Sequence, residues 1–532
     1  MGPTNRRPLR LAILISTLFV VSSLVSFTEI KEPVATKDGP VEGVSSADGK
    51  LVIFRGIPFA APPVGNLRWV APQPVKPWTG ALKADHFSAS CEQPLPHSRL
   101  PWTEEFMTQN EVGEDCLYLN VWTPASSGAT SLPVLVWIYG GGFSEGSSAV
   151  PIYDGAELAK TGIVVVSFNY RVGVFGFLAY PGLTSESPHH SSGNYGLLDQ
   201  IAALQWVQRN IRSFGGDPGR VTICGQSAGA FSVHALTASP LAKGLFQRAI
   251  AQSGSSLAGL PTPTLADAEK QGVEFAEEHG AHSLKELRAL SPAELMAQKS
   301  PQQIGLRFSP IVDGWFLPED PHEIFAQGRQ NDVPTITGFT SGDSTTFAPP
   351  RLSAEEFRAQ AAQRYGPKAT EFLKLYPTGT DEEAKKAQID SGRDRERVSM
   401  YLWALERNRT SKTPVYTYFF TRAIPWPEHS EFGAFHSVEL PYVFRNLAMM
   451  KRPFEPVDYQ VSDTISSYWK SFVANANPNG NHLPQWARVS AKSADTMEIG
   501  AHTGEMPVAS EQKLQFWTNY FHSDLARNTP LF

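Results

Sequence analysis

Gly225-Gln226-Ser227-Ala228-Gly229 spells G-x-S-x-G. A serine hydroxyl is a weak nucleophile until a base takes its proton, and its reaction with a carbonyl needs donors for the oxyanion that forms. The pentapeptide follows Arg220-Val221-Thr222-Ile223-Cys224, an apolar β-rich run, and precedes Ala230-Phe231-Ser232-Val233-His234-Ala235-Leu236, which reads as a buried helix. Strand, G-x-S-x-G, helix is the setting of a nucleophile elbow. Ser227 is therefore predicted in a strained turn, its Oγ at a helix N-terminus beside backbone N–H groups. Upstream, the strand-like Val134–Tyr139 leads into Gly140-Gly141-Gly142-Phe143. Three consecutive glycines let the backbone approach a substrate and aim N–H groups at it. Behind an elbow such a loop completes an oxyanion hole, so the expected chemistry is acyl transfer.

The elements that must hold these residues are legible as alternating runs. Ile163–Phe168 is continuous and β-branched, like a strand buried on both faces. Leu197 to Ile211 reads as a helix through Ile201, Leu204, Val207 and Ile211. Strands alternating with helices imply a mainly parallel sheet with helices on both faces. Leu265–Gln298 and Ser353–Arg409 are rich in Ala, Glu, Lys and Leu and read as helical insertions at the rim of an active-site gorge. The chain has 532 residues, 41% hydrophobic and 18% charged, with no repeat or low-complexity linker. We read residues 29–532 as one domain. A net charge of −6 gives no basic footprint for nucleic acid, so no nucleic-acid partner is expected.

Further motifs carry a family resemblance. Phe54–Trp69 (Phe-Arg-Gly-Ile-Pro-Phe-Ala…), Glu114-Asp115-Cys116-Leu117-Tyr118-Leu119-Asn120-Val121, Asn169-Tyr170-Arg171-Val172-Gly173, Gly193–Gln200 and Phe214-Gly215-Gly216-Asp217-Pro218 occur in fixed order around the elbow. With them the chain resembles the type-B carboxylesterase/lipase family, the cholinesterase-like branch of the α/β-hydrolases, from about Pro33 onward. The resemblance implies an α/β-hydrolase fold and a serine carboxylic-ester hydrolase acting on a small-molecule ester, with no cofactor and no metal.

In α/β-hydrolases the order along the chain is Ser, then Asp or Glu, then His. Of the 13 histidines, His436 lies in Gly433-Ala434-Phe435-His436-Ser437-Val438-Glu439, which resembles the family's G-x-x-H-x-x-E loop, with His436 as general base and Glu439 behind it. His429, in a Pro-rich segment, lacks that context. For the acid, Thr337–Phe347 resembles the family's loop after a strand, with Asp343 where a Glu usually stands and Ser344 where a Gly usually follows. The competitor is Asp313, in a stretch resembling a structural motif; Asp343 is preferred. The oxyanion donors implied are the N–H groups of Gly141, Gly142 and Ala228. Resemblance alone also implies a Cys91–Cys116 disulfide, a supporting role for Ser253 and an Arg68–Glu114 salt bridge.

Cholinesterases carry an acidic residue before the nucleophile and a tryptophan in the first disulfide loop. Here Gln226 is neutral and Phe106 falls at the tryptophan position, so choline esters are not the expected preference. Trp102, Phe106, Phe143 and Trp426 suggest an apolar gorge suited to small or medium, apolar or aromatic esters. The alternative is a non-catalytic, neuroligin-like binding protein on the same fold; those relatives lack the nucleophile that Ser227 supplies.

Residues 1–28 have the charged start (Arg6, Arg7, Arg10) and apolar run (Leu11–Val21) of a secretory signal, with an uncleaved anchor as the other reading. The expectation is a secreted or periplasmic protein with no stable membrane partner after cleavage.

Overall fold

The computed structural model describes residues 32–95, 99–124, 131–254, 262–298, 308–347 and 352–527, with residues 2 and 30. The predicted signal or anchor segment lies, but for residue 2, outside them.

An eleven-stranded sheet organises the chain. Numbered along the sequence, its strands are β1 (Val44–Ser45), β2 (Leu51–Pro58), β3 (Tyr118–Pro124), β4 (Leu132–Ile138), β5 (Val164–Phe168), β6 (Gly216–Gln226), β7 (Arg248–Gln252), β8 (Thr335–Thr340), β9 (Val415–Phe420), β10 (Asp495–Ile499) and β11 (Thr503–Pro507). Their spatial order is β11-β10-β9-β8-β7-β6-β4-β5-β3-β2-β1. The seven strands from β5 to β10 pair in parallel, while both edges are antiparallel. Every residue of β5, β8 and β9 is buried. Since successive side chains point to opposite faces, these strands are covered on both sides, as their β-branched and aromatic composition anticipates.

The helices used below are α1 (Tyr195–Asn210), α2 (Ala228–Ala238), α3 (Leu265–Glu278), α4 (Asp343–Thr346), α5 (Ala354–Tyr365), α6 (Ala369–Leu375) and α7 (Asp381–Thr410). The helix read from Leu197 to Ile211 is α1, followed by a 3-10 turn at Ile211–Phe214. The first insertion breaks into α3 and two short helices, Leu284–Ala289 and Pro292–Met296. The second is α5, α6 and the 30-residue α7, whose start is fixed by a capping box between Thr380 and Glu383. One apolar core runs from Val34 to Ala526 and takes in both insertions. Among the described residues no helix is long and apolar enough to cross a membrane.

Candidate active site

The elbow is a product of close packing. β6 ends at Gln226, α2 begins at Ala228, and Ser227 between them has φ 56° and ψ −125°. That is an unfavourable region for a residue with a Cβ, held here by a bond from Ser227 N to Gln252 O (2.8 Å). The flanking glycines follow from contact rather than from turn geometry. A Cβ on Gly225 would run into the Gly229 carbonyl, and one on Gly229 into the Ile138 carbonyl. Just beyond the neighbouring strand β4, a Cβ on Gly140 would lie 2.6 Å from Gln226 O and 2.9 Å from Ser227 Cβ. The glycine loop and the elbow are thus packed backbone to backbone.

Gly141 and Gly142 carry φ values of 108° and 63°, which favour glycine, and Phe143 follows at 61°. The loop is anchored from behind. Tyr139 and Tyr170 stack at 4.4 Å, each hydroxyl donating to the other's carbonyl at 2.9 and 2.8 Å, and Gly173 N donates to Phe143 O at 2.6 Å. The Asn169–Gly173 motif thereby acquires a physical role, since Arg171 also forms a buried two-point ion pair with Asp199 of α1 (2.8 Å twice). Ala228 is the first residue of α2, so its N–H stands at the helix N-terminus beside Ser227.

His436 and Asp343 meet across two loops. Asp343 opens α4 just beyond β8, and residues 342 and 435 form an isolated parallel bridge that draws the histidine loop against it. A Cβ on Gly342 would strike the Ala434 carbonyl, so this close approach requires glycine. His436 Nδ1 lies 2.5 Å from Asp343 Oδ1. The other carboxylate oxygen accepts from Ser253 Oγ (2.8 Å) and Thr340 N (2.6 Å). Both side chains are buried. With Nδ1–H donated to a carboxylate, the imidazole presents Nε2 as a base. Nε2 is 3.0 Å from Gln226 Nε2, so the residue before Ser227 touches the imidazole directly. The histidine backbone is fixed as well: Thr346 Oγ1 accepts from His436 N (2.9 Å) and Trp102 Nε1 donates to His436 O (3.1 Å).

The other candidates fall in distinct places. Asp313 accepts from Ser191 Oγ and from the N–H groups of Trp315 and Leu317, which binds it into its own loop. Ser253, φ 56°, follows β7 as Ser227 follows β6. Glu439 is fully buried and accepts from Gln252 Nε2 at 3.0 Å. Burial, and after it the charge of Asp343, pushes its carboxyl up to about 8. Cys91 and Cys116 form a disulfide, and Arg68 holds Glu114 through two bonds of 2.5 and 2.6 Å. Cys224 is buried on β6, where burial pushes the thiol far up and leaves it unreactive. His234 is also buried, packed on Trp403 and Phe325; burial pulls it down to about 3, so it stays neutral and structural.

Among the aromatic candidates, Trp102 and Phe347 pack on the His436 ring at 6.4 and 4.9 Å. Phe106 is buried against Phe435, and Phe143 against Phe177. The Arg452 guanidinium lies over Trp426, its Cζ 3.9 Å from the ring centroid. Sequence reasoning missed Gln226, Thr340, Thr346 and Gln252 as partners of the site. Gln226 and Gln252 end adjacent strands in register, a signal that appears only once the strand pairing is known.

Residues 31–517 match the model of the carboxylesterase family. The chain is 36% identical to a fumonisin B1 esterase of Sphingopyxis macrogoltabida, over 88% of this chain and 86% of that protein. It is 35% identical to the para-nitrobenzyl esterase of Bacillus subtilis (strain 168), over 87% and 94%, and 32% identical to a mouse (Mus musculus) cholinesterase, over 93% and 88%.

Proposed function

The chain belongs to the carboxylesterase family and is a carboxylic-ester hydrolase, and we propose that it works as a serine esterase through Ser227, His436 and Asp343. His436 takes the proton of Ser227 as Oγ attacks the ester carbonyl. The N–H groups of Gly141, Gly142 and Ala228 hold the oxyanion; one such donor is worth roughly 3 kcal/mol in the transition state. His436 then protonates the leaving alcohol, and the ester C–O bond breaks to leave an acyl group on Ser227. Water, deprotonated by the same imidazole, releases the acid and restores the serine. Asp343 holds the tautomer and stabilises the imidazolium.

The observation that supports this most is the 2.5 Å His436–Asp343 contact, with the second carboxylate oxygen already occupied by Ser253 and Thr340. An acid gripped on both oxygens can orient a base without reorganising. A binding protein would have no use for that arrangement beside a strained serine.

The substrate reading is a small or medium ester with an apolar or aromatic group, supported by Trp102 and Phe347 around His436. The relative named for a para-nitrobenzyl ester agrees with it. Choline esters are disfavoured because Gln226 carries no charge. We further read residues 29–532 as one catalytic domain exported behind residues 1–28; the Cys91–Cys116 disulfide supports an oxidising compartment.

The test is hydrolysis of p-nitrophenyl acetate, butyrate, octanoate and laurate beside Ser227→Ala. The expected result is turnover that falls by roughly a million-fold in the variant, with the shorter chains preferred. Turnover that persists in Ser227→Ala would remove Ser227 from the mechanism.

A further inference from the structure

Gln93 lies two residues past Cys91 and is 3% exposed, and its side-chain amide is committed to backbone. Nε2 donates to Cys91 O (2.9 Å) and to Gly146 O (2.8 Å), and Oε1 accepts from Gly146 N (2.8 Å). The amide nitrogen faces two carbonyls and the amide oxygen faces an N–H, so one orientation satisfies all three bonds. Gly146 is thereby gripped at both of its backbone polar groups by a single side chain. The support under Gln93 is firm: Cys91 is in the disulfide with Cys116, and Ser90 Oγ donates to Ser147 Oγ at 2.6 Å.

This grip holds the far end of the glycine loop. A Cβ on Gly141 would collide with the Glu145 carbonyl, and one on Gly146 with the Tyr139 ring, so the loop closes on its own start. The Glu145 carbonyl and the Gly146 N–H belong to one planar trans peptide and point to opposite sides of it. One side abuts Gly141, and the other is bonded to Gln93 Oε1. The peptide cannot rotate without breaking that bond and moving the oxygen packed on Gly141. Within the turn, Gly141 O accepts from Ser144 N and Glu145 N, both at 3.1 Å. By the same trans geometry the Gly142 N–H points away from those donors. The direction of that N–H is set by the turn, and Gln93 locks the turn's last peptide.

We propose that Gln93 is a positioning residue for oxyanion stabilisation, acting through the Glu145–Gly146 peptide rather than on the substrate. This rests on the reading of Ser227 as nucleophile and of Gly141 and Gly142 as oxyanion donors. Such donors work because they are in place before the charge forms. Loosening them weakens the transition state and leaves ground-state binding alone, so kcat falls and KM stays. Acylation and deacylation both pass through an oxyanion, so kcat falls whichever step limits it.

The test compares the parent with Gln93→Leu, which loses all three bonds, and with Gln93→Glu, which keeps an acceptor for Gly146 N. On p-nitrophenyl butyrate, Gln93→Leu should lose roughly 10²-fold in kcat, the size of a displaced donor, with KM near parental. Gln93→Glu should fall between the two. Hexyl trifluoromethyl ketone takes up Ser227 Oγ at its carbonyl carbon, the hydroxyl proton passing to His436 and the carbonyl oxygen becoming an oxyanion. Its affinity should drop in Gln93→Leu by the same factor as kcat. Hexyl methyl ketone, bound as the intact ketone, should bind both proteins alike, which also shows that the pocket is folded. Gln93→Glu, read with the same two ketones, carries the test if Gln93→Leu does not fold. Equal weakening of both ketones, a raised KM at parental kcat, or Gln93→Glu as slow as Gln93→Leu would overturn the proposal. Ser227→Ala in parallel separates the two readings. Turnover retained there would overturn the nucleophile and this proposal with it; turnover lost there, beside parental kcat in Gln93→Leu, would overturn this proposal alone.

Discussion

A methyl group added to Gly229, at the elbow, meets the carbonyl of Ile138 on the next strand; one added to Gly392, on α7, meets the hydroxyl at the end of the Ser344 side chain. A strand carbonyl cannot move without unpairing the sheet, whereas a serine rotamer can turn. The two regions differ in this way throughout. At the rim of the sheet, Gly140, Gly225, Gly229 and Gly342 are each pressed against backbone, and Asp343 has partners on both oxygens. In the insertion, α5, α6 and α7 meet through side chains, and Glu396 is left without a partner. The rim tolerates no variation because backbone packs on backbone. The insertion has room for it.

This contrast can be broken experimentally. After loss of the nucleophile itself, the largest effect should be Asp343→Asn, which reverses the donor–acceptor logic at His436 Nδ1. A fall in kcat of roughly 10⁴-fold is expected, while Asp313→Asn should stay within about tenfold. The opposite ranking on p-nitrophenyl butyrate would reassign the acid. Gly229→Ala should destabilise by more than about 4 kcal/mol, the range reserved for unavoidable backbone clashes; urea melts that matched the parent would show that the rim yields.

Glu439 gives a pH signature. Its carboxyl is raised to about 8 in the fold, against an ordinary value of 4.5. Between those two values the unfolded chain has released a proton that the native one retains. The stabilisation is therefore full below about pH 4.5 and is lost as pH rises through 8, a total on the order of a few kcal/mol. Glu439→Gln should flatten that slope, so its melting temperature should gain on the parent's between pH 5 and 9. A constant difference would mean that Glu439 is already ionised. The smallest effect belongs to the insertion: Ser353→Ala removes the capping box of α5 and should cost about 1 kcal/mol without changing kcat.

The same contrast governs what could be read from sequence. The elbow, the glycine loop and the G-x-x-H-x-x-E loop are short because their function depends on local backbone packing, so their residues announce themselves. β4, β5 and β6 were visible as apolar runs for the same reason: strands covered on both faces admit few polar residues. The insertions were legible only as helical composition. Composition marked Ser353–Arg409 as helical but could not divide it into α5, α6 and α7 or say that Gly392 of α7 lies against Ser344, because that depends on how α7 packs on α4. Gln226 was visible as a neutral residue, not as a neighbour of His436 Nε2, since that contact joins segments 210 residues apart.

The strand ends have a consequence for how the molecule comes into being. Ser227 follows β6, Asp343 follows β8 and His436 comes after β9, so the three lie side by side only when four adjacent parallel strands have zipped together. Contacts between residues so distant along the chain form late, after the entropy of closing long loops has been met. A nascent chain that has emerged only as far as Phe420 carries Ser227 and Asp343 but not His436. Recovery of hydrolysis during refolding should therefore trail the return of helical signal and report the closing of the sheet's last parallel strands, making the enzyme a clock for its own assembly.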